Sequence, residues 1–165
     1  MLYVLNLGEV DAARANVADE FAAEAGLKQR LRTGVSAICG SVEAELAQLS
    51  ESDAAEFLAS YGLKESATSR LIHASYKLLG LISFFTVGED ECRAWTIHAG
   101  STALEAAGEI HSDIQRGFIR AEVIRFDDLM ATGSFAEARN RALLRLEGKE
   151  YIVQDGEIVH FRHAG

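Results

Sequence analysis

The chain opens on Leu2-Tyr3-Val4-Leu5, an apolar run with no polar alternation. Such runs suit a strand buried on both faces, as in a parallel sheet. Residues 6–9 leave it as a loop and Asp11 is placed to cap a helix. Val17, Phe21 and Leu27 then fall near helical spacing, which predicts a helix over residues 12–32, weakened at its end by Gly26. Residues 35–39 read as a second interior strand, and Ser41 can cap a helix running to residue 49. Strand, helix, strand, helix is half of an α/β unit. Ser52 can cap a helix over residues 53–61 that Gly62 ends. Residues 67–79 form another, with Leu71, Ile72, Ser75, Leu78 and Leu79 on one side and Gly80 closing it. The domain boundary belongs near this glycine.

The second half carries clearer punctuation. Residues 82–87 and 92–97 are β-rich runs joined by the turn signal Gly88-Glu89-Asp90-Glu91. Thr102 and Glu105 make a capping-box pattern ahead of a helix over residues 103–111. Residues 118–126 predict a strand with Ile119, Ala121 and Val123 on one face. Ser134 and Glu137 repeat the capping box before a helix through Leu146, which Gly148 can end. Tyr151-Ile152-Val153 and Ile158-Val159-His160-Phe161 flank Asp155-Gly156, a tight-hairpin signal. The order ββαβαββ around one core fits a β-grasp sheet packed on a helix.

Composition narrows the function classes. With 48% hydrophobic and 25% charged residues, the 165-residue chain is globular. Proline is absent, where average usage gives about eight, so no PxxP ligand is present. The formal charge of -9 argues against bulk binding to a phosphate backbone. The imbalance is uneven: residues 1–65 hold 5 Lys/Arg against 11 Asp/Glu, and residues 66–165 hold 11 against 14. Arg116, Arg120 and Arg125 fall close together, as do Arg139, Arg141 and Arg145, which leaves room for a local basic face. Cys39 and Cys92 match no metal spacing and read as reduced thiols. The five histidines are scattered, so no metal site is expected. No membrane span or signal peptide is expected either, and a cytoplasmic location follows.

The blocks Arg93-Ala94-Trp95-Thr96-Ile97, Ala106-Ala107-Gly108, Ile110-His111 and Gly117-Phe118-Ile119-Arg120-Ala121-Glu122-Val123 closely resemble the YchF/Obg-like ATPase family. So does the run from Leu146 through Gly148-Lys149-Glu150-Tyr151 to Asp155-Gly156. Val42-Glu43-Ala44-Glu45-Leu46 and Tyr76-Lys77-Leu78-Leu79-Gly80 anchor a similar likeness in the first half. The resemblance implies an α+β chain in three parts: the C-terminal portion of a P-loop G domain at residues 1–50, a helical connector at 51–80, and a ubiquitin-like TGS β-grasp domain at 81–165. Met1 falls where that family has an interior strand. The expectation is therefore a C-terminal piece or shortened form, whose partner would be the missing N-terminal half of the G domain. The unpaired edge of residues 2–5 also offers a route to self-association.

The same resemblance makes Asn6-Leu7-Gly8-Glu9 the base-reading loop and Cys39-Gly40-Ser41 a second base-contacting loop acting through backbone N–H groups. The usual guanine reader is Asn-Lys-x-Asp. Guanine presents two adjacent donors that suit a carboxylate at fixed distance, whereas adenine presents one donor and one acceptor, which an amide can match. Leu7 in place of Lys and Glu9 in place of Asp imply loosened guanine preference, with ATP at least as acceptable. Taken alone, Asn6 reads as a turn residue and Glu9 as a solvated charge. For the complete family protein the resemblance implies ATP or GTP with Mg²⁺, hydrolysis, and association with ribosomes. Residues 1–165 hold no GxxxxGK[ST] cradle, so no nucleotide cofactor and no catalysis are expected of this chain alone.

Other candidates are weighed on chemistry. His111, Ser112 and Asp113 are adjacent, and neighbours in sequence do not converge as a triad; they read as capping groups at a helix end. Trp95 reads as core rather than a stacking platform. Arg93, Arg116, Arg120 and Lys149 are candidate contacts to ribosomal RNA phosphates, or solvated charges paired with Glu122 or Asp113. A free-standing TGS module that binds RNA or protein, with no nucleotide role, is the alternative function.

Overall fold

The computed structural model describes residues 1–164 other than Ala13, Ala15 and Glu89. The parts of the expected 12–32 helix and of the 88–91 turn that fall on those three lie outside the described residues. The chain divides into two compact units, Met1–Leu79 and Gly80–Gly165. The fold is α+β.

In the first unit, β1 (Leu2–Asn6) and β2 (Gly34–Ile38) pair in parallel from Leu2↔Gly34 to Asn6↔Ile38. Leu7 N–H extends the ladder to the Ile38 carbonyl at 2.7 Å. Between them the expected helix is cut short. Residues Glu9–Asp11 form one turn of 3-10 helix, and α1 spans only Val17–Glu24. At the C-terminal end the cause is Gly26 at φ 63. There the N–H groups of Gly26 and Leu27 turn back to the Ala23 and Ala22 carbonyls, a Schellman stop that a left-handed glycine permits.

Helix α2 (Gly40–Leu46) starts one residue before the expected cap and ends before residue 49. Ser41 is not the cap. The first free N–H of the helix, that of Gly40, is taken instead by Asn6 Oδ1 at 3.1 Å. Helix α3 (Glu51–Ser60) is capped by Ser50 rather than Ser52, because Ser50 Oγ accepts from Asp53 N and donates to its carboxylate. Helix α4 (Ala67–Leu79) falls where the spacing predicts it.

The second unit is a five-stranded sheet in the order β4-β3-β7-β5-β6. Here β3 is Leu81–Val87, β4 Cys92–His98, β5 Phe118–Arg125, β6 Arg145–Glu147 and β7 Glu157–His163. The hairpin β3–β4 is antiparallel, and β7 lies parallel to β3 and antiparallel to β5. A central last strand parallel to the first is the β-grasp arrangement. Helix α5 (Ala103–Ile110) carries the full capping box between Thr102 and Glu105, and its Ala103, Ala106 and Ala107 are fully buried. They pack with Phe84, Ile97, Phe118, Ala121, Val123, Val153, Val159 and Phe161. The opposite sheet face packs Ile124 and Ile158 against Leu129, Phe135 and Ala138. Those three come from α7 (Phe126–Thr132) and α8 (Phe135–Asn140).

Four local expectations are corrected. Ile119 does not share a face with Ala121 and Val123: the β5–β7 ladder slips between Phe118 and Arg120, which buries Phe118 and leaves Ile119 55% exposed. The helix expected through Leu146 stops at Asn140, because Ala142 turns left-handed at φ 56 and residues 145–147 become β6. Two short helices were not foreseen, α6 (Ser112–Arg116) and α7. The Asp155-Gly156 hairpin does not form. Ile152 bridges Thr102 instead, while Asp155 Oδ1 and Gly156 N–H bind the backbone of Ser83 in β3. A strand inserted between β3 and β5 cannot fold back on residues 151–153. Among the described residues no helix is long and apolar enough to cross a membrane.

Candidate functional site

Open α/β sheets bind ligands beyond the carboxyl ends of their strands. Both loops singled out in the sequence leave the carboxyl ends of β1 and β2, side by side. The Asn6 carboxamide joins them through its bond to Gly40 N–H, and a side chain at Gly40 would crowd that same oxygen at 3.3 Å. Asn6 is therefore an anchor between loops, holding the start of α2 against β1. Cys39 is buried, and its Sγ lies 3.3 Å from Ser41 Oγ. Leu7 is half-buried. Glu9 is exposed at the head of the 3-10 turn. The structure thus brings Asn6, Leu7, Cys39, Gly40 and Ser41 together and leaves Glu9 facing solvent.

A cleft of about 470 Å³ adjoins these loops. Leu7, Cys39, Val42, Glu43, Ala67 and Arg70 are among its lining residues. Two of them organise it. Glu43 of α2 accepts from Ala67 N (2.7 Å), Thr68 N (3.1 Å) and Thr68 Oγ1 (2.9 Å), capping α4 from another helix. Burial pushes the Glu43 carboxyl up, but those three donors and the nearby Arg70 outweigh it and hold it below the ordinary value. Arg70 reaches from α4 to the Ala37 carbonyl of β2 at 3.3 Å and to the Glu65 carbonyl at 3.0 Å. Sequence reading passed over both roles. Glu43 falls where a helix would place a surface acid, and nothing local marks a cap supplied by a neighbouring helix.

Residues 6–9 and 39–41 carry no cation to meet a phosphate. Gly40 N–H is already engaged, the exposed polar groups are neutral apart from Glu9, and no lysine stands in either loop. Among the described residues no group of three His, Cys, Asp or Glu could hold a metal ion. These residues do not fit a Mg²⁺-triphosphate, and no chemical step follows from them.

The candidate cations of the second unit have separate surroundings. Arg116 is bound to Asp113 at 2.6 Å. The Arg93 guanidinium lies 4.2 Å from the Trp95 ring centroid, and Trp95 Nε1 donates to Thr86 Oγ1 at 2.9 Å, on the margin of the core. Lys149 is exposed, and its carbonyl accepts from Leu104 N. Arg120 is exposed and sits opposite Arg162. Glu122 is held by Arg162 and approached by Arg139. His111 Nδ1 accepts from Asp113 N at 3.1 Å and caps α6, so the His-Ser-Asp run makes no triad.

A second cleft, of about 520 Å³, lies in the β-grasp unit among Phe85, Arg125, Phe126, Arg145, Asp155 and Glu157. Glu157 is buried and accepts from Arg145 (2.5 Å), Tyr151 Oη (2.7 Å) and Gln154 N (2.9 Å). Burial and the Glu157 carboxylate raise the Tyr151 hydroxyl above its ordinary value, so it stays a donor. Arg145, Tyr151 and Gln154 thus together satisfy the buried Glu157 carboxylate.

Comparison with known proteins supplies the lineage. Residues 81–164 match the family described as YchF-GTPase_C, a protein of unknown function. The "Ribosome-binding ATPase YchF" of Bacillus subtilis is 44% identical over 162 residues, 98% of this chain and 44% of that protein. Its namesake in Pasteurella multocida is 48% identical over 125 residues, 76% of this chain and 34% of that protein. The chain therefore spans less than half the length of these curated relatives. The Schizosaccharomyces pombe YchF GTPase superposes with a TM-score of 0.81 at 30% identity, covering 98% of this chain and 43% of that one. A GTP binding protein from Pyrococcus horikoshii shares the fold, with a TM-score of 0.62 at 19% identity. This chain belongs to the YchF family and corresponds to its C-terminal part.

Proposed function

We propose that these residues are the base-reading and ribosome-docking portion of a translation-associated NTPase, acting in the cytoplasm. The observation that carries the nucleotide half is the Asn6–Gly40 bond, which sets two loops edge to edge at the carboxyl ends of parallel strands. In this reading residues 6–9 and 39–41 face the base, with Leu7 and Glu9 loosening guanine selection so that ATP is accepted. The phosphate cradle and the Mg²⁺-holding carboxylate come from a G-domain half outside residues 1–165. The open edge of β1 is the place for that half to continue the sheet. The β-grasp unit, read as a TGS domain, does the docking. The names of the relatives support ribosomes as the partner, with Arg93, Arg116, Arg120 and Lys149 as the first contact candidates.

Two titrations test this reading. Calorimetry of the purified chain with Mg-ATP is expected to show no micromolar binding, because phosphates supply most nucleotide affinity in such sites. Co-sedimentation with salt-washed ribosomes is expected to pellet the chain at about 50 mM salt and release it at several-fold higher salt. Tight Mg-ATP binding or turnover by the chain alone would overturn the nucleotide half. A chain that stays in the supernatant at low salt would overturn the docking half.

A further inference from the structure

Strands β5 and β7 place Arg120 directly opposite Arg162, and Glu122 opposite His160. Residues two apart on a strand share a face. One patch of the sheet therefore presents Arg120, Arg162, Glu122 and His160. Like charges directly opposite weaken a ladder. Glu122 answers part of that repulsion. Its side chain is only 10% exposed, Arg162 donates to its Oε1 at 2.5 Å, and Arg139 of α8 approaches the same oxygen at 3.6 Å. Two guanidiniums thus engage one carboxylate while Arg120 lies on the same face without one, and the patch keeps an excess of positive charge. Arg162 and Arg139 remain 52% and 60% exposed. The Arg120 side chain has no hydrogen bond or ion pair to another described residue.

Folding accounts for Glu122 and Arg162, but not for Arg120. A cation set against another cation, with no acid of its own, costs stability in this ladder. We propose that Arg120, Arg139 and Arg162 form a face that grips the phosphates of an RNA backbone, with Glu122 as the positioning residue that fixes two of the three forks. The inference rests on the ribosome-docking reading and names its surface. Planar guanidinium forks match phosphate oxygens two at a time. The chain as a whole carries -9, so attraction to RNA has to come from a local patch.

Arg120→Glu separates folding from docking, because its two effects have opposite sign. In the ladder it creates an opposite-charge pair with Arg162, so the unfolding midpoint is expected to hold or rise. On the docking face it removes a phosphate contact and adds repulsion. Titration of salt-washed Bacillus subtilis ribosomes with the 165-residue variant is expected to show association about tenfold weaker, with a log–log salt slope shallower by about 1. Lys28→Glu, the same charge change in the first unit, is expected to stay within about twofold of the unaltered chain by the same charge bookkeeping. If the unaltered chain fails to associate, the docking reading falls and takes this face with it. If it associates but Arg120→Glu behaves like Lys28→Glu, or binding is indifferent to salt, the RNA face is overturned. The docking reading then stands, and a protein contact replaces RNA.

Discussion

In the Gly80–Gly165 unit a five-stranded sheet buries Phe84, Ala103, Ala106, Ala107, Ala121, Val123, Ile124 and Val159 completely. In the Met1–Leu79 unit both strands of the sheet stay partly exposed along their length, and the buried apolar set is Ala22, Leu27, Cys39, Val42 and Ala67. What the first unit lacks in packing it supplies with side-chain ties to backbone. Asn6 binds Gly40, Glu43 binds Ala67 and Thr68, and Arg70 binds Ala37. The contrast teaches that a loop region can be positioned without a deep core, provided its polar ends are joined one by one. Non-directional packing tolerates small shifts and gives most of the stability. Directional ties give little energy each but fix geometry, which is what sets the two loops side by side.

The largest effect that would break this comparison is Phe84→Ala. Phe84 is fully buried in β3 and meets Phe161 edge-on at 6.0 Å between centroids. Removing the ring is expected to cost about 3–5 kcal/mol in urea unfolding of the β-grasp unit. Hydrogen exchange at the first unit's amides should be little changed if the two units draw on separate sources of stability. A loss spread evenly over both would show that the contrast is wrong.

Removal of a tie is expected to be smaller and to depend on pH. Glu43→Ala leaves the amides of Ala67 and Thr68 without their acceptor, and loss of such a cap costs about 1–2 kcal/mol. The Glu43 carboxyl is held below its ordinary value of 4.5, so its contribution is fully present above that value. It is lost as pH falls through the lowered folded-state value, where the native carboxylate takes up its proton. Urea unfolding of the unaltered chain and of Glu43→Ala should therefore differ at pH 7 and converge on acidification. A gap unchanged at low pH would mean that Glu43 acts through packing instead.

Legibility in the sequence followed the same division. In the β-grasp unit the Thr102/Glu105 box and the alternating runs of β3 and β4 were readable, because their signals are local. The bulge at Ile119 was not, since residue identity along β5 is the same in either register and only the pairing with β7 decides. Asp155-Gly156 looked like a hairpin because its composition is that of one; the destination of β7, between β3 and β5, is a long-range fact. In the first unit the two loops were found by resemblance alone. That Asn6 serves as the missing cap of α2 needs β1 and β2 to be neighbours, which no short window contains.

Helix endings give the smallest effect, and one whose sign differs between the units. Helix α1 stops at Gly26 and α3 at Gly62, at φ 63 and 67, each with the N–H groups of the glycine and the next residue turned back on the last turn. Helix α8 stops in the same way, with Ala142 N–H on the Arg139 carbonyl and Leu143 N–H on that of Ala138. Its left-handed residue is an alanine at φ 56. A methyl group in that conformation crowds the following carbonyl, whereas glycine adopts it freely. Against this, glycine loosens the unfolded chain, so the two terms partly cancel. Ala142→Gly is expected to stabilise by about 0.5–1 kcal/mol, and Gly26→Ala or Gly62→Ala to destabilise by about 1 kcal/mol, all measured by urea unfolding. Beyond the adjoining backbone no atom lies within 4 Å of a methyl group built at Gly26 or Gly62, so the expected loss is backbone strain and not collision with a packed neighbour. If Ala142→Gly destabilises instead, the Ala142 methyl is held by contacts worth more than the strain, and packing reaches further into the helix ends of this unit than its buried residues indicate.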